Sequence, residues 1–358
     1  MSTTAFLIIS VIRVAIMLFI LLTACAYIVW LERKVIGRIQ NRWGPTRVGP
    51  FGLLQPAADG IKFILKEDII PDGVNRFWYI GAPIIALVFA LTSIAVIPFG
   101  EAFHIGKYII PLQITGWAGP NGRPVDINIG LLVILGITSI GVYGIALSGW
   151  SSNSKYALLG SLRASAQMIS YELALGLSLV GVLMVTGSLS LRSIVDRQMG
   201  GIWHWNILNG GWQFVAFFIY LMAAYAETNR IPFDLPEAET ELVAGYHTEY
   251  SAMKFAMFFV AEYANMVTVA CLSTILFFGG WDPLWGHAGT PANPNAAALW
   301  GLFWFFIKVF CFMFLYIWIR GTLPRFRYDQ LMDFGWKFLL PLAIANIIVT
   351  GLIMALRG

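Results

Sequence analysis

FAMFFVAEYANMVTVACLSTILFF, residues 255–278, is an unbroken apolar stretch whose one charged residue is Glu262. About 20 helical residues cross a bilayer core of about 30 Å, so this stretch reads as a membrane span. Outward from it, seven further runs have the same character: Val14 to Leu31, Trp78 to Phe99, Ile127 to Trp150, Ala164 to Gly187, Ile207 to Ala226, Ala296 to Ile319 and Phe338 to Leu356. The fold expected is an all-α polytopic membrane protein with eight transmembrane helices, one membrane domain over residues 1–358 and no soluble second domain. Asn209, Gly210 and Gly211 weaken the start of the fifth run. Met1 to Arg13 lacks a small-residue cleavage pattern, so the first run is expected to be retained as a helix.

Composition agrees. Of 358 residues, 58% are hydrophobic and 12% charged, against roughly 25% charged in ordinary globular chains. The net charge of +4 is too small to suggest nucleic-acid binding. Cys25, Cys271 and Cys311 lie in apolar runs without CxxC spacing, which offers neither a disulfide framework nor an iron-sulfur site. Sixteen Lys and Arg collect in the loops of one face and five in those of the other. The positive-inside rule then places both termini outside and the basic loops in the cytoplasm. A bacterial cytoplasmic membrane is the preferred location, and the residues suit the mitochondrial inner membrane as well.

Two cytoplasmic loops carry most of the information. The first, residues 32–77, is turn-rich around Gly44, Pro45, Gly49, Pro50 and Gly52. Then Leu54, Ala57, Ala58, Ile61, Ile64 and Leu65 recur at helical spacing opposite Gln55, Asp59, Lys62 and Lys66, which predicts an amphipathic helix at the membrane surface with its apolar face down. It is either a plain anchor or a lintel over a lateral opening for a lipid-soluble ligand. The other loop, residues 227–254, holds Glu227, Asp234, Glu237, Glu239, Glu241 and Glu249 against Arg230 and Lys254. It is either a solvated acidic turn or a proton-accepting cluster at the mouth of a buried polar path. A third, basic loop covers residues 320–337.

Charges within spans favour the polar path. Glu172, Glu262 and Lys308 each cost roughly 2.5–3.5 kcal/mol at the bilayer centre, so each normally faces a protein interior or a wet cavity. The bland alternative is an ion pair of Lys308 with one of the two glutamates. Arg13, near a span end, is expected to snorkel. No GxGxxG, Walker loop, HExxH or GxSxG appears, and His104, His204, His247 and His287 are scattered. Lacking a redox centre of its own, the chain is not expected to transfer electrons alone.

Three strings are distinctive: LERKVIGRIQNRWGPTRVGPFGLLQPAADGIKFILKED (31–68), AETNRIPFDLPEAETELVAGYHTEYSAMKFAMFFVAEYANM (226–266) and RGTLPRFRYDQLMDFGWKFLLP (320–341). They closely resemble the family of H subunits, also called subunit 1, of respiratory complex I, the proton-pumping NADH:quinone oxidoreductase, and the resemblance covers essentially the whole chain. It implies a membrane subunit forming the membrane-side part of a quinone chamber, with quinone as substrate and no cofactor on this chain. FMN and iron-sulfur clusters would belong to partner subunits. The partners implied are peripheral quinone-module subunits, adjoining membrane subunits and membrane lipids. Carried over by motif, Arg33, Arg38, Phe51, Gln55, Ala58 and Asp59 fall at the quinone passage. Glu172, Glu227, Asp234, Glu237, Glu239, Glu241 and Glu262 fall on the family's carboxylate path. Two other readings stand beside this one: the homologous membrane component of a hydrogenase or other dehydrogenase complex, and a stand-alone ion transporter.

Overall fold

The computed structural model describes residues 3–105, 108–118, 124–209, 211–234, 245–286 and 293–357. Its helices in chain order are α1 (Thr3–Ile39), α2 (Gln55–Leu65), α3 (Arg76–Ser93), α4 (Gly130–Ser151), α5 (Lys155–Thr186), α6 (Leu191–Gln198), α7 (Asn206–Asn209), α8 (Gln213–Glu227), α9 (Ala252–Phe277), α10 (Pro294–Thr322), α11 (Tyr328–Asp333) and α12 (Leu340–Arg357). A π-helical turn, Phe334–Leu339, joins α11 to α12. Among the described residues seven helices are long and apolar enough to cross a membrane: α1, α3, α4, α5, α9, α10 and the continuous α11–α12. The fifth apolar run gives α8, of 15 residues, about 22 Å long. Gly211, at φ 72°, stops that helix from extending backward.

The apolar run ending at Leu31 understates α1. The helix continues to Ile39, so Glu32, Arg33, Lys34 and Arg38 stand on a helix rather than in a loop. The following turn is fixed by Gly52, at φ 77°, where a Cβ would lie 2.3 Å from the carbonyl oxygen of Pro45. Two small antiparallel ladders, β1 (Ala102–Ile105) with β2 (Tyr108–Pro111) and β3 (Trp117–Ala118) with β4 (Pro124–Val125), interrupt the otherwise all-α architecture. Arg13 donates to the carbonyl oxygens of Pro111 (3.2 Å), Gly116 (3.2 Å) and Gln113. It therefore pins the β2–β3 connection to α1 rather than snorkelling, because those carbonyls supply the acceptors that a headgroup would otherwise provide.

Helix α9 is the centre of the bundle: most of its residues are buried, whereas those of α1 are mostly exposed or half-buried. Packing rather than water exclusion has to hold apolar helices together in lipid, and small residues permit close crossings. On α4, a Cβ at Gly144 would lie 2.8 Å from that of Ala86 on α3. Phe217 and Tyr220 of α8 interlock with Phe277, Phe278 and Phe312 at ring separations of 5.2–6.1 Å. Gln167 of α5, fully buried, donates to the carbonyls of Ala226 (2.8 Å) and Phe233 (2.7 Å). It thus holds the start of the acidic connection inside the protein. Thr228, Arg230, Asp234, Tyr246, Tyr250 and Lys254 are likewise buried, so the described parts of residues 227–254 are folded in and are not a solvated turn.

Candidate functional site

Four helices meet at one charged cluster. Arg230, just past α8, lies 3.4 Å from Glu32 of α1 and is ion-paired with Glu262 of α9. Arg320 of α10 also pairs with Glu32. The hydroxyl of Tyr263 donates to Glu32 at 2.7 Å, and its ring lies 4.3 Å below the Arg230 guanidinium. Two carboxylates thus face two guanidiniums. That balance matters because an uncompensated charge in such a site costs several kcal/mol. Further out, Arg325 donates to buried Asp234 at 3.2 Å.

Glu262 also lines a cavity of about 40 Å³ shared with Glu227, Thr228, Asn229, Tyr246 and Asn265. A water needs roughly 10–15 Å³ on this measure, so the space suits two or three waters. A second cavity, about 20 Å³, continues past Glu227 and Asn265 to Thr138 and Leu272. Glu172 accepts from the hydroxyl of Ser139 on α4 and is close enough to Glu227 for their charges to interact. The two water-sized cavities share Glu227, Thr228 and Asn265, so a track runs from Glu262 past Glu227, and Glu172 joins it through its interaction with Glu227.

On the other side of Glu32 lies a larger pocket of about 450 Å³, between α1, α2 and α9. Its walls are mainly apolar, with Val29, Trp30, Phe63, Ile64 and Phe259, and its polar groups are Arg33, Gln55 and Asp59. Arg33 donates to Asp59 at 2.8 Å and Gln55 donates to the same carboxylate at 3.1 Å. An apolar wall with a few convergent polar groups is the usual composition of a small-molecule site. Gln55 and Asp59 of the polar stripe face the pocket, while Lys62 and Lys66 are exposed together with Ile61, Ile64 and Leu65 at 58%, 67% and 79%. Much of the exposed surface of α2 is therefore apolar, unlike that of a water-facing helix.

The sequence pattern of the NADH dehydrogenase family matches residues 12–351. The NADH-quinone oxidoreductase H subunit 2 of Koribacter versatilis is 69% identical over 356 residues, covering 99% of each chain. The H subunit 1 of Geobacter sulfurreducens is 54% identical over 341 residues, 95% of this chain and 93% of the relative. The H subunit 1 of Solibacter usitatus is 48% identical over 398 residues, 98% of each. The chain belongs to the NADH dehydrogenase family, as an H subunit of NADH-quinone oxidoreductase.

In this NADH dehydrogenase family member, the motif-derived residues separate by place. Arg33, Gln55 and Asp59 line the pocket. Arg38 stacks on Trp43 at 4.4 Å, Phe51 is 78% exposed at φ 55°, and Ala58 is half-buried outside the pocket lining. Glu172, Glu227, Asp234 and Glu262 are placed as above, whereas Glu237, Glu239 and Glu241 lie outside the described residues. Lys308 pairs with neither glutamate, because its ammonium donates to the carbonyls of Phe278, Gly280 and Asp282 at 2.7, 3.0 and 2.6 Å. Sequence reasoning missed Glu32, Tyr263, Asn265 and Arg320 as members of the cluster and track. Glu32 looked like the first residue of a loop. Its partner Arg230 is 198 positions away, so no local pattern could have joined them.

Proposed function

We propose that this chain is the membrane subunit of a proton-pumping NADH:quinone oxidoreductase in a bacterial cytoplasmic membrane, where it forms the membrane-side quinone chamber and passes the effect of quinone reduction to a carboxylate path. Eight crossings, with α8 as the fifth and both termini outside, complete the topology. FMN and iron-sulfur clusters belong to peripheral partner subunits, which dock over the cytoplasmic loops and deliver electrons, while adjoining membrane subunits carry the pumping onward. The supporting observation is the adjacency of Arg33 and Glu32. Arg33 opens onto the apolar pocket, and Glu32 belongs to the charge-balanced cluster that meets the Glu262–Glu227–Glu172 track.

Reduction of a quinone to quinol takes up two electrons and two protons. An anionic quinone species in the pocket would repel Glu32 and draw Arg33, unbalancing the cluster, and the track would respond by taking up or releasing a proton or by moving its loop. This chain's part is electrostatic coupling; the redox step needs its partners. The test is a series in assembled enzyme in proteoliposomes: Glu172→Gln, Glu227→Gln, Glu262→Gln, Glu237→Gln and Glu241→Gln. Loss of pumping or turnover is expected. Wild-type turnover and pumping across the whole series would overturn the path. The names of the relatives, all H subunits of NADH-quinone oxidoreductases, favour this reading over a hydrogenase component or a stand-alone transporter.

A further inference from the structure

We infer that Lys308 is a proton barrier closing the outer end of the carboxylate track. This rests on the proposed reading that the track carries protons. The track's second cavity reaches Leu272 on α9, and the next turn, Ile275 to Phe277, is fully buried. A proton travelling farther outward would meet the C-terminus of α9. There the last helical carbonyls have no partner within the helix, and the helix dipole presents its negative end. Such a ring of carbonyls is a ready solvation shell for a hydronium ion.

Here five carbonyls at that point already accept from side-chain donors. Gln198 donates to Ile275 (2.8 Å) and Asn206 to Leu276 (2.8 Å). Lys308, reaching across from α10, takes those of Phe278, Gly280 and Asp282. The indole ring of Trp205 covers the ammonium at 4.3 Å. The carboxylate of Asp282 accepts from the backbone amides of Gly200 (3.2 Å) and Gly201 (2.8 Å) and is near enough to Lys308 for their charges to interact. Lys308 therefore does two things: it removes acceptors, and it sets an ammonium, held by three carbonyls, at the end of α9 beyond the track's second cavity. Fixed cationic charge in a narrow path excludes protons by the same electrostatics used in selective pores.

The test uses the assembled complex in proteoliposomes. Passive proton flux under a potassium-diffusion potential is read with an entrapped pH dye, and NADH-driven acidification is read against quinone reductase turnover. Lys308→Met and Lys308→Gln should raise passive flux roughly tenfold or more, the factor that 1.36 kcal/mol of barrier carries, and lower protons pumped per electron while turnover holds. Lys308→Gln keeps two donors and loses the charge, so it separates bracing from repulsion. Lys308→Arg should remain tight. Variants that assemble and stay as tight and as coupled as wild type overturn the barrier. So does failure of both neutral variants to assemble while the arginine variant does, which would make Lys308 a folding brace. Adding Glu227→Gln to a leaky variant distinguishes the two readings. If the leak stops, the carboxylates carry it; if it persists, the barrier stands and the track proposal fails.

Discussion

Buried Arg230 is ion-paired with half-buried Glu262, and the same guanidinium lies 3.4 Å from Glu32 and stacks on Tyr263. Removing Arg230 takes a partner from both carboxylates and leaves Arg320 on Glu32. Arg230→Met should therefore cost roughly 3–5 kcal/mol, the range for breaking a buried pair. It should show as lost assembly or a strongly lowered melting midpoint of the purified complex. A variant that assembles with the wild-type midpoint would contradict the cluster's role.

Pocket lining separates two neighbours on α2. Gln55 and Gly60 line the space, and a side chain at Gly60 would meet nothing within 4 Å, whereas Ala58 lies outside the lining. Gln55→Trp and Gly60→Trp should raise the apparent KM for long-tailed quinones by roughly tenfold, about 1.4 kcal/mol of lost binding, with short-tailed analogues less affected. Ala58→Trp should change it little. Equal kinetics for all three would remove the pocket from the quinone's route.

The turn between α1 and α2 should tolerate no side chain at Gly52. The left-handed backbone and the 2.3 Å approach to Pro45 act together, so Gly52→Ala is expected to cost roughly 1–3 kcal/mol from backbone strain alone. Reduced yield of complex, with Gly60→Ala as the permissive control, is the measurement. Matching yields would show that the turn gives way.

Burial lowers the pKa of His247 from 6.5 to about 4. The folded state then resists a proton that the unfolded chain accepts. Its effect is absent above about pH 6.5, and stability is lost as pH falls from 6.5 toward 4. His247→Gln should flatten that acid-side loss in melting midpoint against pH. Parallel curves for the variant and wild type would exclude His247 as its source.

The spans were legible because lipid imposes a length and a composition on every crossing, and all eight apolar runs became helical. The exception in length, α8, turns on Gly211, which ends a helix that hydropathy alone would extend. Gln55 and Asp59 were readable as one stripe because they are four residues apart on one helix; which way the stripe faces was not, since that depends on Arg33 across the gap. Arg13 and Lys308 were visible as costly charges, but their partners are backbone carbonyls, which leave no mark in a sequence. Glu32 was hidden by its own charge, which ended the apolar run at Leu31 although the helix continues to Ile39.

Glu32 also dates its own completion. Its partners arrive 198 and 288 positions later in the chain, so synthesis must pass Arg320 before both arginines can close on it. Until then the acid on α1 lacks one of its two guanidinium partners, and the cluster beside the pocket stays incomplete. A truncation ending before Arg320 would have every wall of that pocket and no lock on its door.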